Sequence, residues 1–380
     1  MKQVMVIYGT RPEAVKVAPL IKALEASDTL EPVVVSTGQH RDMLDPINRW
    51  FGISPHLDLN VFQHGATLTQ LAARILERLP EALTTYQPDA VVVQGDTTSV
   101  AMAAIACFYQ QIPVVHLEAG LRSRNILSPF PEEANRRLAG QVAALHLAPT
   151  ELSRQNLLQE RVDPAIVTVV GNTVIDALEW SAQREVTLTD ERLAEAAESE
   201  RKMVLLTAHR RENLGEPMSR IAEAVAQLAQ EFPEYVFVFP AHKNPKVREA
   251  IVPTISPWPN VIVCEPLEYP EFVHVQKWAD LILTDSGGVQ EEAPSFGKPV
   301  LVLRENTERP EAVDAGTVKL IGTDTATIVE ETARLIEDRA AYDAMAQAVN
   351  PYGDGRAAVR SAAAIGELLG VGTRLPEFLG

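Results

Sequence analysis

The chain of 380 residues has only two cysteines, Cys107 and Cys264, far apart and in no CxxC spacing. That excludes a disulfide framework and a thiolate metal site, and both thiols read as packing residues. No apolar run is long enough to span a bilayer, and "MKQVMVIYG" leads straight into Thr10, Arg11 and Pro12 instead of a cleavable signal, which points to a cytoplasmic protein without a membrane partner. Basic residues are in short supply: 34 Lys and Arg against 51 Asp and Glu give a formal charge of −17, which argues against nonspecific nucleic-acid binding. A small anionic ligand stays compatible, provided that arginines and lysines near strand ends make a locally basic site. What is present is a chain 46% hydrophobic and 22% charged, enough to bury the cores of two domains.

Short runs of Val, Ile and Leu recur with helix-compatible segments between them, the pattern of parallel strands buried on both faces and joined by crossover helices. The first half carries "VMVIYG" (4–9), "PVVVST" (32–37), "AVVVQGD" (90–96), "PVVHLEAG" (113–120), "ALHLAP" (144–149) and "IVTVVGN" (166–172). A second set begins with "MVLLTAH" (203–209) and continues through "YVFVFPAH" (235–242), "VIVCEP" (261–266), "LILTDSGG" (281–288), "PVLVLR" (299–304) and "VKLIG" (318–322). The polar stretch 180–202 separates the halves, and the boundary is expected near residue 173. The expected fold is α/β: two Rossmann-like, doubly wound parallel-sheet domains with a ligand in the cleft between their strand C-termini.

In "TDSGGVQEEAPSFGKPV" (284–300) a strand ends at Asp285, Ser286 can cap the following helix, and Gly287 and Gly288 leave first-turn amides open to an anion. Pro294 limits that helix. An ordinary Ser-capped turn with packing glycines reads equally well. Glu291 and Glu292 would repel a phosphate, but one of them can accept hydrogen bonds from ribose hydroxyls, so a nucleoside diphosphate reconciles the amides with the acids. The plainer alternative is that both acids complement the helix dipole.

"YGTRPEAVKVAPL" (8–20) repeats the geometry, with Pro12 at a first helical position, Arg11 at the helix start and Lys16 a turn further on, within reach of the same anion. Three acids follow strand ends or turns: Asp96, Glu118 and Glu132. Asp96 and Glu132 also suit capping or dipole roles, whereas Glu118 ends an apolar run in which an ionised carboxylate needs a partner or a raised pKa. His209 and His242 end neighbouring strands of the second set, beside Arg210 and Arg211. A hydrogen-bonding or phosphate-clamping role fits them better than metal ligation, because no HxH or HExxH spacing is present and no metal is expected. "ENTERPEAVDAG" (305–316) contains Arg309 in what otherwise reads as a mixed-charge surface loop, and "NPYGDGRAAVR" (350–360) reads as an architectural turn before a helix.

In order along nearly the whole chain, "GTRPEA", "TGQHRDML", "QGDTTS", "HLEAGLRS", "SPFPEEANRR", "GNTVIDAL", "TAHRREN", "TDSGGVQEEAPSFGKPVLVLRENTERPEAV", "GTVKLIGTD" and "NPYGDG" resemble the bacterial non-hydrolysing UDP-N-acetylglucosamine 2-epimerases. The resemblance implies a GT-B-like fold, with an N-terminal domain over 1–172 that carries the acid/base residues, a UDP-binding domain over 173–362, and a C-terminal helix and tail over 363–380 returning to the first. It implies a homodimer, UDP-N-acetylglucosamine and UDP as ligands, and no cofactor. Carried over by motif, Arg11, Lys16, Asp96, Glu118 and His209 line the site. Phe272, Ser286, Gly287, Gly288, Glu292 and Arg309 hold the nucleotide, with Glu292 on the ribose. Leu267 stands where some relatives have Gln, leaving only backbone for a uracil contact. Asp96, Glu118 and Glu132, with His209, are the catalytic candidates. An activating second substrate molecule implicates Gln39 and His40, with Arg210 and His242, although Asp42 departs from a position that can be Gln.

The implied chemistry explains these residue types. The carbon 2 hydrogen of N-acetylglucosamine is not adjacent to a carbonyl, so simple deprotonation has no stabilised carbanion. Loss of UDP from carbon 1 while a base takes the carbon 2 proton gives 2-acetamidoglucal, and readdition with protonation from the other face gives the manno epimer. That route needs a stabilised leaving group, a base and an acid on opposite faces, and exclusion of water. A UDP-sugar glycosyltransferase of the GT-B class would need an acceptor, a hydrolysing 2-epimerase would release free N-acetylmannosamine, and a nucleotide-sugar sensor would bind without turnover.

Overall fold

Among the described residues the chain forms thirteen strands, all in parallel pairings, and twelve of them come from the apolar runs. The computed structural model describes every residue except His40 and Glu200, and of Arg41 and Asp42 the backbone alone. Two compact units result, Met1–Ala177 with Tyr352–Gly380, and Leu178–Pro351.

In the first unit the strands are β1 (Lys2–Tyr8), β2 (Leu30–Ser36), β3 (Leu57–Asp58), β4 (Ala90–Gln94), β5 (Val114–Leu117), β6 (Leu145–Ala148) and β7 (Val167–Val169), in the order β3-β2-β1-β4-β5-β6-β7. β4 is buried at every position, as a central parallel strand covered on both faces must be. The helix Arg11–Glu25 buries Ala14, Val17, Ala18 and Ile21, one face of a 3.6-residue period. The second unit holds β8 (Met203–Thr207), β9 (Val236–Pro240), β10 (Val261–Cys264), β11 (Leu281–Thr284), β12 (Val300–Val302) and β13 (Val318–Leu320), ordered β10-β9-β8-β11-β12-β13. Each order reverses once, between β1 and β4 in the first sheet and between β8 and β11 in the second. Crossovers leave such a point toward opposite faces and open a crevice beyond the strand C-termini. Gly9–Arg11 and Gly95–Asp96 occupy that place in the first unit; His209 and Asp285–Gly288 occupy it in the second.

The doubly wound α/β architecture expected from the runs is what forms. β3 is the addition: two residues give no apolar run to read. The units divide within the helix Thr173–Ala182 rather than at 173, and the return to the first unit begins at Tyr352 rather than 363. Hydrogen bonding explains the return. Asp176 accepts from the amides of Ala357 and Ala358 at 3.2 and 2.8 Å, capping the helix Ala357–Leu368. Arg360 pairs with Asp354 at 2.6 and 2.7 Å and donates to the Val170 carbonyl, and the Phe378 amide donates to the Val169 carbonyl beside β7. Both cysteines are buried thiols that form no disulfide, and burial pushes each up to about 12. Among the described residues no helix is long and apolar enough to cross a membrane.

Candidate active site

In the first unit the turn after β1 needs a glycine because a Cβ on Gly9 would lie 2.0 Å from Thr37 Oγ1. Glu13, three positions after Thr10, folds back to accept from the amides of Gly9 and Thr10 at 2.7 and 2.8 Å and from Thr97 Oγ1 at 2.5 Å. Its carboxyl is almost wholly buried, and burial raises it above the usual carboxylate range despite those donors. Glu13 therefore ties the start of the β1 helix to the turn after β4. The T-x-x-E spacing of a capping box was the available signal. Arg11, half-buried, takes the first position of that helix.

Glu118 leaves β5 with φ 62°, a left-handed conformation in which a side chain other than glycine is strained. That turn directs its carboxylate toward three donors: Lys16 Nζ at 2.5 Å, Asn172 Nδ2 at 3.2 Å and the Gln94 amide. The partner that a carboxylate at this strand end requires is thus Lys16, whose side chain is largely buried with it. Lys16 holds an acid of its own unit, where the sequence suggested an anionic ligand. Asp96 follows Gly95 and pairs with the Arg136 guanidinium, while Asn135 donates to its carbonyl at 2.9 Å. Glu132 opens the helix Glu132–Val142 and is partly exposed. Its neighbour Glu133 is fully buried: burial alone would raise its carboxyl, but the Ser123 amide, Arg137 and Arg136 outweigh that and hold it below the usual range. Gln39 accepts from Ser99 Oγ at 2.8 Å, and His40 lies outside the described residues.

In the second unit Asp285, fully buried at the end of β11, is the hub that residue-type reasoning missed. It accepts from the amides of His209 at 3.0 Å and Arg210 at 2.9 Å and from Asn213 Nδ2 at 3.0 Å. One acid thereby fixes the "HRREN" turn after β8 against the "DSGG" turn after β11. The His209 ring stacks on His242, centroids 5.6 Å apart. Burial lowers its pKa, the Asp285 charge opposes the fall, and His242 and Arg210 add to it. Arg210 Nε donates to the Asp285 carbonyl at 3.2 Å.

Gly287 and Gly288 open the short helix Gly287–Glu292, which ends before Pro294 as that residue requires. Two guanidinium groups converge on Gly287: a Cβ there would stand 3.2 Å from both Arg210 Nη2 and Arg309 Cζ. Ser286 is set by its amide donating to Thr284 Oγ1 at 2.9 Å. The two acids behave differently. Glu291 is buried and accepts from Arg309 Nε at 2.8 Å, whereas Glu292 accepts from Gln276 Nε2 at 3.0 Å beside Gly288. Phe272 lies half-buried on the helix Tyr269–Trp278, which also carries Gln276, and Leu267 lies half-buried in the loop leading to that helix. Of the candidates, Arg11, Lys16, Asp96 and Glu118 thus lie around the first switch point, and His209, His242, Arg210, Arg309 and Ser286–Gly288 around the second.

A family profile described as UDP-N-acetylglucosamine 2-epimerase matches residues 22–366. The chain belongs to that family. It is 50% identical over 364 residues to the UDP-N-acetylglucosamine 2-epimerase of Escherichia coli K12, covering 94% of this chain and 96% of that one. The solved UDP-GlcNAc 2-epimerase from Neisseria meningitidis, bound to UDP-GlcNAc, is 46% identical with a TM-score of 0.85, over 97% of this chain and 100% of that one. The S. aureus MnaA–UDP co-structure is 45% identical with a TM-score of 0.87, over the whole of both chains.

Proposed function

We propose that this chain interconverts UDP-N-acetylglucosamine and UDP-N-acetylmannosamine, by elimination of UDP and its readdition to 2-acetamidoglucal. The observation that carries the reading is the Ser286–Gly288 turn, where Arg210 and Arg309 converge on the Cα of Gly287 at the switch point of the second sheet. Guanidinium groups and open amides are complementary to a pyrophosphate, and Glu292, held by Gln276, is placed beside them to accept from ribose hydroxyls. On departure the diphosphate gains negative charge on the carbon 1 oxygen, and fixed positive groups stabilise that charge with little reorganisation. The base breaks the carbon 2–hydrogen bond, its electron pair forms the carbon 1–carbon 2 double bond, and the carbon 1–oxygen bond leaves with UDP. Three donors hold the Glu118 carboxylate in one orientation at the strand end, which suits it to serve as the base. The acid that returns a proton to the opposite face is drawn from Asp96 and Glu132.

Incubation with UDP-N-acetylglucosamine alone in deuterated water, followed by NMR of the sugar, is expected to give the manno epimer still joined to UDP and labelled at carbon 2. Product without label would overturn elimination; free N-acetylmannosamine would indicate hydrolysis; no turnover without an acceptor would indicate glycosyl transfer.

The reading extends to a cytoplasmic homodimer. Phe108, Tyr109, Leu127 and Phe130 stand exposed on the first unit, apolar surface of the kind a partner subunit covers. Light scattering is expected to return twice the mass of the chain, and a monomer at micromolar concentration would remove the dimer from the reading.

A further inference from the structure

Among the buried, titratable side chains around the first switch point that the mechanism does not use is an imidazole. His116, in β5, is 1% exposed and lies in register with Val93 of β4 on one side and His146 of β6 on the other. Its Nε2 lies 2.7 Å from the carbonyl oxygen of Gly95. A carbonyl only accepts, so the hydrogen sits on Nε2. The other nitrogen, Nδ1, is buried with no hydrogen-bond partner. A bare lone pair there is tolerable, whereas an N–H in the same place would be an unsatisfied buried donor. The geometry alone therefore selects the neutral, Nε2-protonated ring, and burial, which lowers the His116 pKa to about 4, acts in the same direction.

The Gly95 carbonyl belongs to the peptide bond that carries Asp96. Gly95 has φ 80°, and its amide donates to the Leu117 carbonyl at 3.0 Å. Leu117 is the residue after His116 and the one before Glu118. Consecutive residues of β5 thus grip both ends of Gly95: Leu117 accepts from its N–H and His116 donates to its C=O. A glycine in a left-handed conformation has no Cβ to restrict its rotation, so without the imidazole the Leu117 bond would fix the peptide before Gly95 while the carbonyl of the Gly95–Asp96 peptide lost its donor. Beyond it, the Asp96 carboxylate meets Arg136 and its carbonyl meets Asn135.

We propose that His116 is a positioning residue for the epimerisation, fixing the Gly95–Asp96 peptide plane so that Asp96 and Glu118 are presented together at the first switch point. The proposal rests on the function inferred above. His116 does not touch substrate; it acts through the backbone of Asp96.

The test compares His116→Phe, which keeps a buried ring and removes the donor, with His116→Gln, whose terminal amide places an N–H near the Nε2 position. Each is assayed for kcat and KM with UDP-N-acetylglucosamine, for UDP affinity by calorimetry, and for melting temperature. His116→Phe is expected to lose kcat about tenfold or more, as small misplacements of reacting groups do, with UDP affinity within about twofold; His116→Gln is expected to recover most of that loss. Wild-type kcat in His116→Phe, or equal kcat loss in both folded variants, would overturn the proposal. The tautomer supplies a readout that does not depend on the phenylalanine variant folding. In 15N-histidine-labelled wild-type protein, His116 is expected to show a protonated Nε2 and a bare Nδ1 across pH 6 to 8, and the reverse tautomer would overturn the proposal as well. Absence of epimerisation by the wild-type protein would strike the functional reading itself, a result separable from either outcome for His116.

Discussion

Glu118→Gln is expected to lower kcat by about 10²- to 10⁴-fold, the range typical of removing a general base, while UDP affinity stays within about twofold. The expectation follows from what the substitution leaves unchanged. Glutamine has the size of glutamate and is no more strained at φ 62°, so the turn after β5 can keep its shape. It can still accept from Lys16, Asn172 or Gln94, but it cannot take a proton from carbon 2. The groups proposed to meet UDP, Arg210, Arg309 and the glycine amides, belong to the other unit, so the substitution leaves their chemistry as it is. NMR turnover and calorimetry with UDP separate the two effects. Turnover at the wild-type rate would remove Glu118 from the proton-transfer step, and a parallel collapse of UDP binding would show that its role is structural.

The strands were legible because a parallel sheet buried on both faces demands uninterrupted apolar runs, and twelve of the thirteen strands carry one. β3 was not, since Leu57 and Asp58 pair with the end of β2 through backbone alone. Run ends were also over-read. "PVVHLEAG" suggests a strand through Glu118, but the strand stops at Leu117 and the chain turns left-handed, which brings the acid round to Lys16. That ion pair joins residues 102 positions apart. Each was conspicuous by itself, one as a cation near a helix start and the other as an acid after an apolar run, but no periodicity connects them. The same applies to Asp285, visible as a strand-end acid, whose role depends on an amide contributed by the turn after β8, 75 positions earlier. Glu13 differs. Its spacing from Thr10 is local and readable, and only its link to Thr97 required the fold. Local chemistry shows in sequence, whereas the pairing of local features across a sheet requires strand order.

Acid is expected to unfold the first unit through two imidazoles in its core. His116 and His146 face each other across β5 and β6, both about 1% exposed, with ring centroids 6.5 Å apart. Burial lowers their pKa values from 6.5 to about 4 and about 3. Between pH 6.5 and these values the unfolded chain binds protons that the folded chain does not, so stability is fully present above pH 6.5 and is lost as pH falls toward 4 and then 3. The loss is on the order of 3 kcal/mol for each ring by pH 4, large beside the total stability of an ordinary domain. Glu13 acts with the opposite sign, because its raised carboxyl makes the folded state the better proton acceptor as pH falls. Glu133, held below the usual range, adds to the acid loss, but only where carboxylates titrate. Urea unfolding at pH 7, 5.5 and 4.5 measures the combined slope, and His146→Phe isolates one ring: its removal should flatten the decline. An unchanged slope in that variant would show that the buried pair does not set the acid limit.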